Sequence, residues 1–195
     1  MVAPIRTTTD WTQDFDTVID VRSPAEFADD HIPAAINLPV LSNDQRAEVG
    51  TIYKQVSPFE ARRLGARLIS GNIAAHLGTA LKDKPAGWRP LVYCWRGGQR
   101  SGSMARVLAE IGWVVTLVEG GYKTYRHDVT EQLDALAARI TPVLIQGPTG
   151  SAKTHILNAA AGHGAQVIDL EGLARHRGSL LGFEPDQDQP SQRMF

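Results

Sequence analysis

The chain has 195 residues, of which 43% are hydrophobic and 21% charged, and its formal net charge is −1. This balance excludes a disordered chain, and no apolar run is long enough for a membrane span. The near-zero charge gives no global electrostatic attraction to nucleic acid, so any RNA contact has to come from a local patch.

Thr17-Val18-Ile19-Asp20-Val21 is a short β-branched run and predicts a buried strand. Ser23-Pro24-Ala25-Glu26 follows, a capping box with proline at the first helical position, so a helix is expected from Pro24 to about Asp29. Ala35 to Pro39 reads as a second strand stopped by proline. Ser42 and Gln45 stand at capping-box spacing before a helix reaching about Gly50. The device returns at Ser57-Pro58-Phe59-Glu60, where Ala61, Leu64, Leu68 and Ala75 fall roughly on one face of a packing helix.

Pro90 to Cys94 predicts the next strand, Ser101 to Ile111 an amphipathic helix ended by Gly112, and Val114 to Val118 another strand. Gly120-Gly121 then turns the chain into a helix from about Tyr122 to Arg139. Strands alternating with helices imply an α/β fold with a mostly parallel sheet. Thr141-Pro142 interrupts the pattern, which places a boundary near residue 140 and gives domains 1–139 and 140–195.

In the second part a strand is expected at Val143-Leu144-Ile145, then the loop Gly147 to Thr154, a helix, and a strand over Gln166 to Asp169. About fifty-five residues make barely two βα units, too few to cover both faces of a sheet. The second domain therefore reads as truncated or dependent on a partner.

Cys94 is the only cysteine. It cannot form an internal disulfide, and the N-terminus MVAPIRTTTDW lacks the apolar core of a secretory signal, so a reducing cytoplasm is the expected compartment. Cys94 sits at the carboxyl end of a strand, where open α/β sheets place ligands. The loop Trp95-Arg96-Gly97-Gly98-Gln99-Arg100-Ser101 runs from it into a helix N-terminus. Backbone N–H groups, the helix dipole and the charges of Arg96 and Arg100 all favour a thiolate. Gly97 and Gly98 let the backbone curl around an anion. The loop is an anion cradle with a nucleophile at its base, against the plainer reading of a small buried core residue. Its spacing from Cys94 to Arg100 is the C-x5-R of cysteine phosphatases, while sulfur-transferring rhodaneses use a similar cradle, usually one residue shorter. The loop carries no Asp or Glu to serve as a general acid.

Gly147, Lys153 and Thr154 meet the pattern G-x-x-x-x-G-K-[ST], with Ala152 in place of the second glycine. Gly147, Thr149, Gly150, Ser151, Lys153 and Thr154 are the candidate phosphate cradle. Thr154 is placed for a Mg²⁺ beside the phosphates, and Asp169 for either that metal or a helix cap. Arg175, His176 and Arg177 form a basic cluster suited to RNA phosphates, or merely a solvated helix face.

Asp20 to Phe27, His31 to Pro39, the cysteine loop and Glu119-Gly120-Gly121-Tyr122 together resemble the rhodanese-like fold. By that resemblance Asp20 and Arg22 are structural charges bracing the sheet, and His31 is a turn residue. A rhodanese-like domain, a P-loop and then Asp169 to Ser179 (DLEGLARHRGS) resemble the tRNA 2-selenouridine synthase family. Asn43 to Arg46, Val49 to Gln55 and Arg96 to Ser101 resemble it as well. The resemblance implies exchange of sulfur for selenium at the wobble 2-thiouridine of tRNA. Geranyl diphosphate would alkylate the sulfur and selenophosphate would displace it, with Cys94 as the essential cysteine. The implied partners are tRNA and a supplier of selenophosphate, with no membrane; no tightly bound cofactor is expected, and Mg²⁺ at Thr154 and Asp169 is a candidate only. A rhodanese-type sulfurtransferase with a Cys94 persulfide, a cysteine phosphatase and an inactive tRNA- or partner-binding fragment stay open as alternatives.

Overall fold

The computed structural model describes residues 2–148, 150–178 and 182–195, which form two compact units, Met1–Ala135 and Leu136–Phe195. The first holds a five-stranded sheet in the order β1-β5-β4-β2-β3, with every pairing parallel. Its strands are β1 (Ile5–Thr8), β2 (Thr17–Asp20), β3 (Ile36–Asn37), β4 (Pro90–Tyr93) and β5 (Val115–Val118). Helices α1 (Pro24–Asp29), α2 (Asn43–Gln55), α3 (Pro58–Gly78), α4 (Gln99–Ile111) and α5 (Tyr122–Ala137) connect and cover them.

β4 is central and fully buried, as a strand covered on both faces must be. Its side chains alternate. Val92 and Cys94 join the core that includes Ile69, Ile73, Met104 and Leu108 of α3 and α4. Leu91 and Tyr93 join the opposite core with Ile32, Tyr122 and Tyr125. The cysteine therefore belongs to the α4 side of the sheet.

From β2 the chain moves outward to β3, whereas from β4 it moves the other way to β5. The carboxyl ends of β2 and β4 thus flank the point where the winding reverses, the usual ligand crevice of such sheets. Asp20 pairs with Tyr93 there, and the Val21 N–H donates to the Tyr93 carbonyl at 3.0 Å.

Local chemistry explains the helix starts. Gln45 and Ser42 exchange both bonds of a capping box, at 3.0 and 3.2 Å. Ser57 Oγ accepts from Phe59 and Glu60. The buried stripe of α3 is Ala61, Gly65, Ile69 and Ile73, and Ala75 is exposed. The expected face was rotated because Gly65 carries no apolar signal in the sequence, although its small size lets Val49 of α2 approach.

In the second unit, α6 (Lys153–Gly162) and the short α7 (Leu170–Leu173) form. The strands expected at 143–145 and 166–169 do not. Val143 is 92% exposed and Ile168 66%, and among the described residues no neighbouring strand supplies a ladder for either segment. A parallel strand without neighbours leaves its backbone groups to water and gains nothing over coil. Among the described residues no helix is long and apolar enough to cross a membrane.

Candidate active site

The cysteine loop is held from two sides. Above, Gly98 N–H and Ser101 Oγ donate to Cys94 Sγ at 3.3 and 3.2 Å. Below, the start of α5 reaches in: Tyr122 N–H donates to the Cys94 carbonyl at 2.8 Å and Lys123 N–H to the Trp95 carbonyl at 3.2 Å. Trp95 stacks on Tyr122 with ring centroids 5.2 Å apart. Gly121, at φ 65°, lies so close beneath that a Cβ there would overlap the Cys94 carbonyl and stand 2.6 Å from Gly97 N. The Gly-Gly of residues 120–121 is thus the floor of the loop, and only glycine fits it.

The Cys94 side chain is buried. Burial works against its ionisation, yet the hydroxyl and N–H of Ser101, with the N–H groups of Gly98 and Arg96, outweigh it. They hold the thiol below its ordinary value. The expectation that the arginine charges favour the thiolate needs correction. Arg100 turns aside to Glu26, donating at 2.7 and 3.4 Å, and the Arg96 residue is exposed. Gln99 opens α4 and is exposed as well. Hydrogen bonds, rather than the guanidinium charges, favour the sulfur anion.

Glu26 also accepts from the Ser23 N–H and hydroxyl, both at 3.1 Å, and pairs with Arg46 at 3.0 Å. Burial raises its pKa, but Arg100 and Arg46 hold the carboxyl below its usual range. It stays ionised, so it supplies no proton for a phosphatase-type leaving group. In the sequence Glu26 showed only as half of a capping box. Its second role needs Arg100, seventy-four residues away, and no local pattern carries that distance.

Behind the crevice Asp20 and Arg22 form a buried ion pair at 2.6 Å. Arg22 also donates to the Asp30 carbonyl at 2.5 Å and lies over the Tyr122 ring at 4.0 Å. His31 Nδ1 meets the Phe27 carbonyl at 2.9 Å and its ring stacks on Phe27, the arrangement of a turn residue.

The second unit carries candidates of its own. Lys153 Nζ donates to the Gly147 and Pro148 carbonyls, both at 3.1 Å. Gly150 has φ 80°, Ser151 and Thr154 are exposed, and Thr149 lies outside the described residues. Asp169 accepts from Gly172 N–H at 3.0 Å and so caps α7, the helix-cap half of its two expected roles. Arg175 donates to the Asp188 carbonyl at 3.0 Å, and Arg177 grips Glu184 with two bonds of 2.6 Å. His176 accepts from Gly178 N–H at 3.0 Å and packs on Phe183. All three members of the basic cluster thereby face partners within their own unit. Among the described residues no group of three His, Cys, Asp or Glu side chains is placed to hold a metal ion.

Ala152, which replaces the P-loop glycine, sits at φ 57° and ψ 28°, the left-handed conformation, immediately before α6. An L side chain there costs about 1–2 kcal/mol. Ala152→Gly is expected to favour the start of α6 by about 1 kcal/mol. Amide hydrogen exchange along α6 should then slow about fivefold. Unchanged or faster exchange would show that this conformation carries no strain.

A parallel α/β sheet with a lowered thiol cradled between β4 and α4 at the reversal point defines a rhodanese-like domain, and the Rhodanese-like domain model matches residues 8–128. The tRNA 2-selenouridine synthase AAA domain model matches residues 140–195. With both parts in this order, the chain belongs to the tRNA 2-selenouridine synthase family. It is 41% identical over 173 residues to the tRNA 2-selenouridine synthase of Bdellovibrio bacteriovorus, covering 85% of this chain and 43% of the relative. To that of Cronobacter sakazakii it is 46% identical over 170 residues, with the same coverage of each. The chain thus spans about 43% of the length of these curated relatives. Among solved structures it is similar to the N-terminal domain of a Clostridium difficile 630 protein described as ATP/GTP binding. The identity is 38% and the TM-score 0.51, covering 58% of this chain and 88% of that one.

Proposed function

We propose that this chain carries the cysteine-dependent part of a sulfur-for-selenium exchange on tRNA. The observation that supports this reading best is the Cys94 sulfur, whose ionisation is favoured by the N–H and hydroxyl donors of its own loop. Such a cradle is suited to selenophosphate, whose phosphoryl oxygens would take the place of bulk anions over Gly97 to Arg100. S-alkylation of a 2-thiouridine by geranyl diphosphate turns its sulfur into a better leaving group, which selenium then displaces. The loop around Gly147 to Thr154 is read as the seat of the diphosphate. Lys153 would swing from the two carbonyls it now meets to the diphosphate oxygens, and Thr154 would meet a Mg²⁺ carried in with them. No ATP hydrolysis is required by this chemistry. The setting is cytoplasmic, with tRNA and a selenophosphate-supplying enzyme as partners.

A second reading draws on the same sulfur, since a lowered thiol in this cradle also suits a persulfide. The two are separated by one experiment. The chain is incubated with 2-thiouridine tRNA, geranyl diphosphate and selenophosphate, and the nucleosides are analysed by mass spectrometry. The expected product is 2-selenouridine. Transfer of thiosulfate sulfur to cyanide with no change in the thiolated tRNA would overturn the reading in favour of a sulfurtransferase. ATP turnover matching product one for one would overturn the assignment of the P-loop to a diphosphate.

A further inference from the structure

Beside the cysteine loop runs a groove of about 1480 Å³ between α2, α3 and the start of α4. Its floor includes Gly97 and Gly98 of the loop itself, so the groove and the anion cradle are continuous. Its walls carry Arg46, Lys54, Arg62, Arg100 and Arg106, and no Asp or Glu is among the residues that line it. In a chain whose net charge is −1, this is a local concentration of positive charge on one face of one unit.

Arg46 and Arg100 are paired with Glu26. Lys54, Arg62 and Arg106 are exposed and stand on three different helices. Among the described residues none of the three is in an ion pair. A single small anion needs one or two such charges. Three free cations on three helices, lining a channel that reaches Gly97 and Gly98 of the cysteine loop, fit a ligand with phosphates at intervals. Tyr53, 55% exposed on the α2 wall, adds an aromatic face of the kind on which an unpaired base stacks. Gly50, Gly65 and Ala66 keep the bottom of the channel free of bulk.

We infer that this groove binds the phosphodiester backbone of a single-stranded RNA segment and delivers one splayed-out base to the Cys94 loop. The inference rests on the tRNA reading above and deepens it. A loop nucleotide is unstacked and can enter a cleft, whereas the bases of an A-form helix cannot be reached from its deep, narrow groove. The basic groove takes over the role expected of Arg175, His176 and Arg177, of which Arg177 is already charge-paired with Glu184.

The test is fluorescence anisotropy of a labelled anticodon stem–loop RNA bearing 2-thiouridine, titrated at several salt concentrations. Wild type is compared with the double variant Arg62→Gln, Arg106→Gln and with Tyr53→Ala, after circular dichroism has shown that each is folded. Each lost single-strand phosphate contact removes about 0.7 from the slope of log affinity against log salt. The double variant is expected to flatten that slope by about 1.4 and to bind at least tenfold more weakly at low salt. Tyr53→Ala is expected to weaken binding with the slope unchanged. An unaltered slope and affinity in the double variant would overturn the inference. So would loss of geranyl diphosphate binding with RNA binding intact, which would make the groove a prenyl diphosphate site. Nucleoside analysis separates the two readings. Groove-dependent RNA binding without 2-selenouridine sinks the functional reading and leaves the groove, whereas wild-type 2-selenouridine formation by the double variant does the reverse.

Discussion

Asp20→Ala is expected to destabilise the first unit by about 3–5 kcal/mol, the cost of leaving a buried charge without its partner. Arg22 is 1% exposed and Asp20 fully buried. Its Nε donates to both carboxylate oxygens, at 3.0 and 2.9 Å, and its Nη2 to one of them at 2.6 Å. What remains after the substitution is the Asp30 carbonyl, the rings of Tyr122, Tyr93 and Trp95 and the field of Glu26, none of which replaces the direct carboxylate pair. Asp20→Asn keeps the volume and one acceptor but removes the charge, so it should fall between wild type and alanine. Adding Arg22→Met to Asp20→Ala should restore part of the loss, because the stranded charge goes with it. Urea denaturation measures all four proteins, and a shift of the midpoint at constant slope is the expected form. A loss below about 1 kcal/mol for Asp20→Ala would mean that water reaches Arg22 and that the pair does not brace the sheet.

The same pair illustrates what a sequence does and does not disclose. Asp20 and Arg22 lie two residues apart at a strand end, close enough for a local reading. β4, its loop and α4 were legible for a similar reason: four apolar residues, a thiol, two glycines and an amphipathic run each leave their own mark. The helix starts at Ser42 and Ser57 followed from side chains that bond backbone N–H groups within three residues.

What escaped was non-local. β1 is IRTT, largely exposed, and becomes a strand only because β5 offers it an edge. The segments 143–145 and 166–169 have strand composition and no such edge, and they remain coil. Composition was the same signal in both cases, and pairing decided between them. The charged groove is invisible in the chain because its cations come from positions 54, 62 and 106. Glu26 was read as a cap, and the structure makes it the anchor of two arginines as well.

On the proposed sulfur-for-selenium exchange, Cys94→Ala is expected to abolish 2-selenouridine formation, and Ser101→Ala to leave it working but pH-shifted. The distinction follows from where the thiolate draws its stabilisation. Burial at Cys94 favours the neutral thiol, and the loop donors reverse that preference, the Ser101 hydroxyl foremost among them. Without that hydroxyl the burial remains and one donor is gone, so the thiol titrates at higher pH. Because the chain has one cysteine, the thiolate absorbance of wild type minus that of Cys94→Ala reports this titration directly. Below the midpoint each pH unit lowers the thiolate fraction about tenfold, and the rate should fall with it. Ser101→Ala should therefore lose most at neutral pH and recover as the pH rises. Stability follows the same sign. A thiol lowered in the folded state contributes stability that is present above the unfolded thiol's pKa and lost as pH falls through the folded value. The wild type should accordingly gain stability with pH across that window, and Ser101→Ala should gain less. Full product from Cys94→Ala would remove the sulfur from the chemistry altogether. An unshifted thiolate midpoint in Ser101→Ala would instead leave Cys94 in place and assign its activation to the backbone N–H groups of residues 96, 98 and 101.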